Sequence, residues 1–439
     1  MEIITKNNIK KYSTYKNSGV EWLGEIPEHW EVVKLKYLSE IFNGDSLNES
    51  LKKKYESDDL SHLAYISSKD INVNNSVITY NNGLRIPKDN IKLKIAPKNS
   101  SLLCIEGGSA GRKIAFTNQE VCFVNKLACF SIKKDNNPQY LFFTLKSNPF
   151  QIQFKSSMSG MIGGVAISSI NNFIIPIPPL SEQTKIAEFL DDKTEKIDEA
   201  IAIKTQQINL LKERKQILIH KAVTRGLDTN VKLKNSGVEW IGEIPVHWEV
   251  LPGFMVYKEN KSKNDGMKEN VVLSLSYGNI IIKPKEKLIG LVPESFETYQ
   301  IVKPSDIIIR CMDLQNDKTS LRTGIAVNHG IITSAYLNLN IINNNISEYI
   351  YNFLHSLDTT KVLYKFGTGL RQNLSFRDFK HLQIPIPPKE EQQKIVDYIK
   401  YISEKIATAI GLKSEEISTL KEYKSSLINS VVTGKVRVC

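Results

Sequence analysis

Ile175-Pro-Ile-Pro-Pro-Leu-Ser-Glu-Gln183 opens a stretch that runs to Gly226 with no further proline or glycine after Pro179. Apolar residues recur in it at Ile186, Leu190, Ile197, Ile201, Ile208, Leu211 and Leu218, in steps of three, four and seven, the seam of a long helix packed on another helix. The pattern returns after Ile384-Pro-Ile-Pro-Pro388. Its seam, Ile395, Ile399, Ile406, Ile410, Ile417, Leu420 and Leu427, is the first list moved by 209 positions. About 45 residues rising 1.5 Å each give a helix of about 65 Å. That exceeds an ordinary globular helix, so the spacing predicts a coiled-coil pair in which each helix is the other's partner. A solvated single helix would show no apolar seam. Ser181 stands where it can cap the first helix, and Glu390 and Glu391 put negative charge on the first turn of the second.

Residues 17 to 31, Asn-Ser-Gly-Val-Glu-Trp-Leu-Gly-Glu-Ile-Pro-Glu-His-Trp-Glu, return at 235 to 249 with Ile241 for Leu23 and Val246 for Glu28. The offset here is 218 against 209 for the helices, so the first half is nine residues longer between its two landmarks. The chain is a duplication: leading motif, variable globular region, Pro-rich turn, long helix. In the first region, short β-type runs fall at Leu63 to Ser67, Ser76 to Tyr80, Ser101 to Ile105, Lys113 to Thr117, Val121 to Val124 and Ala128 to Ile132. In the second they fall at Val271 to Leu275, Asp306 to Arg310, Thr323 to Val327 and Ala335 to Leu339. A helix follows near Pro138 to Ser147 and near Ser347 to Ser356. The expected fold class is α+β: two mixed α/β domains, 1–179 and 227–388, joined by long coiled-coil helices, 180–226 and 389–439, with an internal pseudo-two-fold repeat.

At 439 residues, 41% hydrophobic and 24% charged, the chain has length for real cores. Its 58 Lys and Arg against 47 Asp and Glu leave +11, a balance that suits a polyanionic partner such as nucleic acid. No apolar run is long enough to span a membrane, and Met1-Glu-Ile-Ile-Thr-Lys lacks a signal-peptide core, so a cytosolic location is expected. Five cysteines, at 104, 122, 129, 311 and 439, form no Cys-x-x-Cys and read as buried free thiols.

His29 and His247 occupy matched Pro-x-His-Trp positions. No acidic or cysteine ligand set stands at metal spacing, so the segment reads as a turn whose tryptophan anchors on the core. The glycine-rich loop Glu106-Gly-Gly-Ser-Ala-Gly-Arg-Lys113 bares backbone N–H groups, with Ser109, Arg112 and Lys113 as further donors to phosphate or base edges. It lacks P-loop spacing, and a hairpin without ligand is the other reading. Its counterpart, Arg310-Cys-Met-Asp-Leu-Gln-Asn-Asp-Lys-Thr-Ser-Leu-Arg322, carries the side-chain types that read base edges. A second polar loop precedes each Pro-rich turn, Met158 to Gly164 and Phe366 to Asn373, with Gly160 matching Gly369 at offset 209; so do Ser67 with Ser276 and Asp70 with Asn279. Candidate DNA contacts are therefore Ser67, Lys69, Gly108, Ser109, Arg112, Lys113, Ser276, Arg310, Gln315, Asn316, Lys318, Arg322, Arg371, Gln372 and Asn373. Scaffolds that keep their frame but differ in these loops are expected to bind different targets. Phe189, Ile203 and Ile217 lie off the helix seam and are candidate partner contacts. No Walker loop, Asn-Pro-Pro-Tyr site, His-Glu-x-x-His or Gly-x-Ser-x-Gly occurs, so no chemistry is expected of the chain alone.

Taken together, Ser18 to Trp30 and its repeat, Pro-Ile-Pro-Pro-Leu-Ser-Glu-Gln183 with Pro-Ile-Pro-Pro-Lys-Glu-Glu-Gln392, and the helix ends Ala-Val-Thr-Arg-Gly226 and Val-Val-Thr-Gly-Lys435 give a chain that resembles the specificity subunits of type I restriction-modification systems. The resemblance implies two target recognition domains, each reading one half of a split DNA site. It further implies that the helices pair antiparallel and dock two methyltransferase subunits, which bind S-adenosylmethionine, and that restriction subunits using ATP and Mg join later. A DNA-modifying enzyme, or a scaffold joining two interaction domains without DNA, are the alternatives.

Overall fold

The computed structural model describes residues 10–88, 92–133, 135–160, 163–284, 286, 295–312, 314–315, 320–366 and 373–438. Two long helices, Leu180–Arg225 and Lys389–Val432, follow the two Pro-rich segments. The compact units divide inside these helices: Met1–Thr205 with Ser414–Cys439 is one, Gln206–Lys413 the other. The helices are thus shared between the units. Each unit combines the first part of one helix with the last part of the other.

In the first unit the helix segments run antiparallel, as Lys204 Nζ lies 2.5 Å from Glu416 and Lys424 Nζ 2.6 Å from Asp198. The predicted seam is buried at Ile186, Leu190, Ile395 and Ile399, where a globular body also covers the helix, and half-buried at Ile201, Ile208, Leu211 and Ile417. Where that body packs, off-seam Ala187, Val223, Val396 and Val431 are buried too, so the apolar face is wider than a two-helix seam. Ser181 is not a cap. It lies inside the first turn, where the N–H groups of Glu182 and Gln183 go to the Pro179 carbonyl. Glu390 and Glu391 do sit in the first turn of the second helix, at the positive end of its dipole.

In the first unit a four-stranded antiparallel sheet has the spatial order Ser39–Asn43, Leu127–Ile132, Ser101–Cys104, Ile114–Phe116. Side chains alternate across it. Leu103, Ala128 and Phe130 face the helices Pro138–Lys146 and Asn148–Ser156 and the long helices. Leu102, Cys104, Leu127 and Cys129 face a second sheet of Arg85–Ile86, Leu63–Ile66, Val121–Phe123 and Ile95–Ala96. Both faces are covered, which is why these strands read as unbroken apolar runs. Ser76 to Tyr80, expected as a strand, makes only an isolated bridge from Ile78 to Ile71. The second unit repeats the strand order with Tyr257–Glu259, Tyr336–Ile341, Ile307–Arg310 and Thr323–Ile325. Ile307 and Ile309 face the helix Ser347–Thr359 and Ile308 the opposite side. There two antiparallel pairs stand in the second sheet's place, a hairpin of Leu273–Ser276 with Asn279–Ile282 and the long-range pair Gln300–Val302 with Gly330–Ile332.

The Pro-rich segments are strands, where the sequence predicts turns. Ile174–Ile177 pairs with Glu31–Lys34, and Gln383–Ile386 with Glu249–Pro252. In a two-stranded ladder every strand is an edge, where a missing N–H is tolerated. Trp30 and Trp248 are fully buried. His29 and His247 donate through Nε2 to the Glu182 and Glu391 carboxylates at 2.8 Å each, tying each leading motif to the first turn of a long helix. The Tyr140 hydroxyl donates to the Pro176 carbonyl at 2.9 Å and lies 3.4 Å from that of Val432. Tyr349 does the same toward Pro385 at 2.8 Å and Val223 at 3.2 Å. Each unit is therefore closed by the last turns of the helix that began in the other repeat.

Candidate nucleic-acid interface

In the first unit three polar segments, distant in sequence, form one surface. Ser67 is the N-cap of a 3-10 turn, Ser68–Asp70, in a capping box with Asp70, its Oγ and N both bound by the carboxylate at 2.7 and 2.8 Å. Lys113 Nζ donates to the Ser68 carbonyl, drawing the glycine-rich loop against that turn. The Gly107 N–H reaches the Gly163 carbonyl at 2.9 Å and Val165 N–H the Ile105 carbonyl at 3.0 Å, adding the second polar loop. Gly111 is required by its φ of +73° and because a Cβ there would stand 2.8 Å from the Phe154 ring. Gly108 has no such neighbour and is exposed. The surface presents Lys69 and Arg112 to solvent, while Ser67 and Lys113 hold it together and Ser109 closes the turn through its carbonyl.

The second unit makes the same junction with different residues. Leu374 N–H reaches the Cys311 carbonyl at 2.8 Å, so the Arg310 loop and the segment at Asn373 adjoin, as Ile105 and Val165 do. Gln315 and Asn373 are exposed; Asn316, Lys318, Arg371 and Gln372 lie outside the described residues. Arg310 is half-buried at its strand end. Arg322 overturns its expectation as a base reader. It is 0% exposed, donates through Nη1 to the Met312 carbonyl at 2.6 Å and through Nε to the Tyr364 hydroxyl at 3.2 Å, and lies over that ring. It therefore holds the loop from within.

Ser276 closes a hairpin opposite Asn279, unlike the capped turn at Ser67 and Asp70. The tip is Tyr277-Gly278, both with positive φ, +47° and +79°, and Tyr277 is 89% exposed. Sequence reasoning ranked Ser276 and passed over Tyr277. The available signal was an aromatic residue before glycine in a two-residue turn. On the long helices Ile203 and Ile217 are 56% and 48% exposed, whereas Phe189 packs against the first unit's core and is corrected as a free contact. Burial pushes the Cys122, Cys129 and Cys311 thiols up to about 12, so these are inert packing residues. Among the described residues no helix is long and apolar enough to cross a membrane.

The family described as "Type I restriction modification DNA specificity domain" matches residues 27–213 and 257–417, both repeats. The chain belongs to that family. Its role is DNA sequence specificity in a type I restriction-modification system, and the specificity domain itself is non-catalytic. A putative type I restriction enzyme MjaX specificity subunit of Methanocaldococcus jannaschii is 24% identical over 433 residues, 95% of this chain and 96% of that one. The StySPI specificity subunit of Salmonella potsdam is 24% identical over 447 residues, 94% and 90% of the two chains. Among solved structures, a chain from work on complex assembly and conformational transition of the type I R-M system has a TM-score of 0.68 at 14% identity, covering 93% of this chain and 98% of that one. The HsdS subunit from Thermoanaerobacter tengcongensis has 0.51 at 16% identity, covering 94% and 98%. The specificity-domain fold, a repeated mixed α/β unit with long helices, is the one described above.

Proposed function

We propose that the two units of this specificity subunit each read one half of an interrupted, asymmetric DNA site. The paired helices fix the interval between the half-sites and dock two methyltransferase subunits. One observation carries this reading. The units keep the same sheet order and the same Tyr140 and Tyr349 clasps, yet build their polar surfaces from unlike parts, a capped turn with a glycine-rich loop in one and a tyrosine-tipped hairpin with an arginine-buttressed loop in the other. Equal frames with unequal reading loops suit two unlike half-sites. The methyl donor, S-adenosylmethionine, and the ATP and Mg of restriction subunits belong to those partners, and the complex works on DNA in the cytoplasm. Contacts in the first unit are assigned to Lys69, Arg112 and the exposed backbone at Gly108. In the second they are assigned to Gln315 and Asn373, and the sequence neighbours Asn316, Lys318, Arg371 and Gln372 are proposed with them.

The test is the methylated motif in the genome of cells expressing single variants with the methyltransferase partner. Arg112→Ala should relax the first half-site alone, and Gln315→Ala with Asn373→Ala the second alone, at about 1–3 kcal/mol for each base edge left unread. Equal relaxation of both half-sites by either variant would overturn the assignment of one domain to one half-site.

A further inference from the structure

Behind the glycine-rich loop the first unit holds a cleft of about 400 Å³. Residues 73 to 76, the helices Pro138–Lys146 and Asn148–Ser156 and parts of both long helices wall it, and Arg112 stands at its rim. Five cations face it, Arg112, Lys146, Lys155, Lys421 and Lys424, against one carboxylate, Asp198. Lys424 is neutralised by that carboxylate, its Nζ 2.7 and 2.6 Å from the two oxygens. Lys146 touches neutral groups: it donates to Ser76 Oγ at 3.0 Å and its Nζ lies 4.9 Å from the centre of the Phe142 ring. Arg112, Lys155 and Lys421 form no ion pair among the described residues. Ser76 is held at φ +60°, a left-handed conformation uncommon for serine, so its hydroxyl is set into the cleft at a conformational cost.

We propose that this cleft is a phosphate site, with Lys146, Lys155 and Lys421 as its charged ligands and Ser76 as a neutral donor, and that it takes a backbone phosphate of the bound duplex, while Arg112 at the rim faces the bases. Three lysines converging on one cavity with no carboxylate left to pair them repel one another, and a tetrahedral oxyanion relieves that repulsion while accepting from several donors at once. Lysines bind phosphate as point charges and read no base edge, so the site positions DNA and carries no sequence preference. Burial pushes the Lys146 ammonium down to about 8, with Lys424 adding to the effect and Asp198 and Asp191 opposing it, the condition an incoming anion reverses. The source of the phosphate rests on the DNA-reading function proposed above; the site itself does not.

The experiment uses the full chain and Lys155→Gln/Lys421→Gln, two exposed changes that leave the core intact, with Lys146→Met as a second variant that keeps its stem on Phe142. Inorganic phosphate, added at constant ionic strength, should raise the wild-type Tm by about 2–6 °C and leave the variants unmoved. On a cognate duplex the slope of log K against log salt should fall by about one to two in the double variant, with the half-site preference unchanged. A phosphate response with an unchanged slope would assign the site to free phosphate and overturn the duplex as its source. Absence of both responses would overturn the site. So would loss of methyltransferase binding alone, which would make the cleft a seat for an acidic protein surface. If wild type shows no sequence preference on any DNA, the proposed function fails while the inorganic-phosphate arm still decides the cleft.

Discussion

Arg112 follows Gly111 and Arg322 stands two residues before Gly324, both in polar stretches that sequence alone ranks together; burial separates them. Arg322→Ala would strand the Met312 carbonyl and the Tyr364 hydroxyl, so it should lower unfolding stability by about 3 kcal/mol in a denaturant titration. Any change in the second half-site would then follow from loop collapse, whereas Arg112→Ala should leave stability unchanged within about 0.5 kcal/mol. Lys146 gives a pH prediction at the same scale. Its folded pKa of about 8 lies below the ordinary 10.5, so between these values the unfolded chain holds more protons than the folded one. Wild-type stability should therefore gain on Lys146→Met as pH rises through that window and be lowest relative to it below pH 8. Thermal melts of both proteins at about pH 7 and about pH 9.5 in phosphate-free buffer check the sign. A Tm difference between the proteins that does not change with pH would mean that Lys146 is solvated.

At the scale of elements, the apolar seam, nine of the ten expected strands and both expected short helices were legible because period and turn residues are local properties, whereas short strands such as Ser39–Asn43 and Tyr257–Glu259 were not. The Pro-rich strands were not. Proline marks a breaker in sequence, and only the presence of Glu31–Lys34 alongside turns Ile174–Ile177 into a ladder. The two tyrosine clasps were equally hidden, since Tyr140 and Tyr349 sit in ordinary amphipathic helices whose partners are far away in the chain. Tyr140→Phe and Tyr349→Phe should each cost about 1–3 kcal/mol by leaving buried carbonyls unpaired. The two effects should match within error and add, as measured by chemical denaturation of the single and double variants, because the clasps are equivalent and distant in sequence. A large asymmetry would mean that only one unit depends on its clasp.

For the whole molecule, the exposed Ile203 and Ile217 and the helix pair carry the remaining predictions. Ile203→Glu with Ile217→Glu should leave the chain folded, since both side chains are solvated, and should abolish co-purification of the methyltransferase subunit. An undiminished complex would place the docking face elsewhere. Adding four residues after Thr205 lengthens one helix by about 6 Å. Against about 3.4 Å per base pair, the spacer in the methylated motif should grow by one or two base pairs with both half-sites kept. An active insertion variant with the original spacer would show that the helices join the complex without measuring the site.

The sequence by itself determined the duplication, the mixed α/β class, the two long helices and, through the motifs that flank them, the family. All of these are written in order and spacing along the chain. What only the tertiary structure decided is which residues meet: that the Ser67 turn and the loops at Arg112 and Gly163 form one surface, that Arg322 points inward while Tyr277 points out, and that each unit is completed by the helix end of the other repeat. The physical reason is that periodicity follows from backbone geometry, which each segment carries with it, whereas burial and hydrogen-bond partners depend on what packs against that segment from elsewhere in the chain.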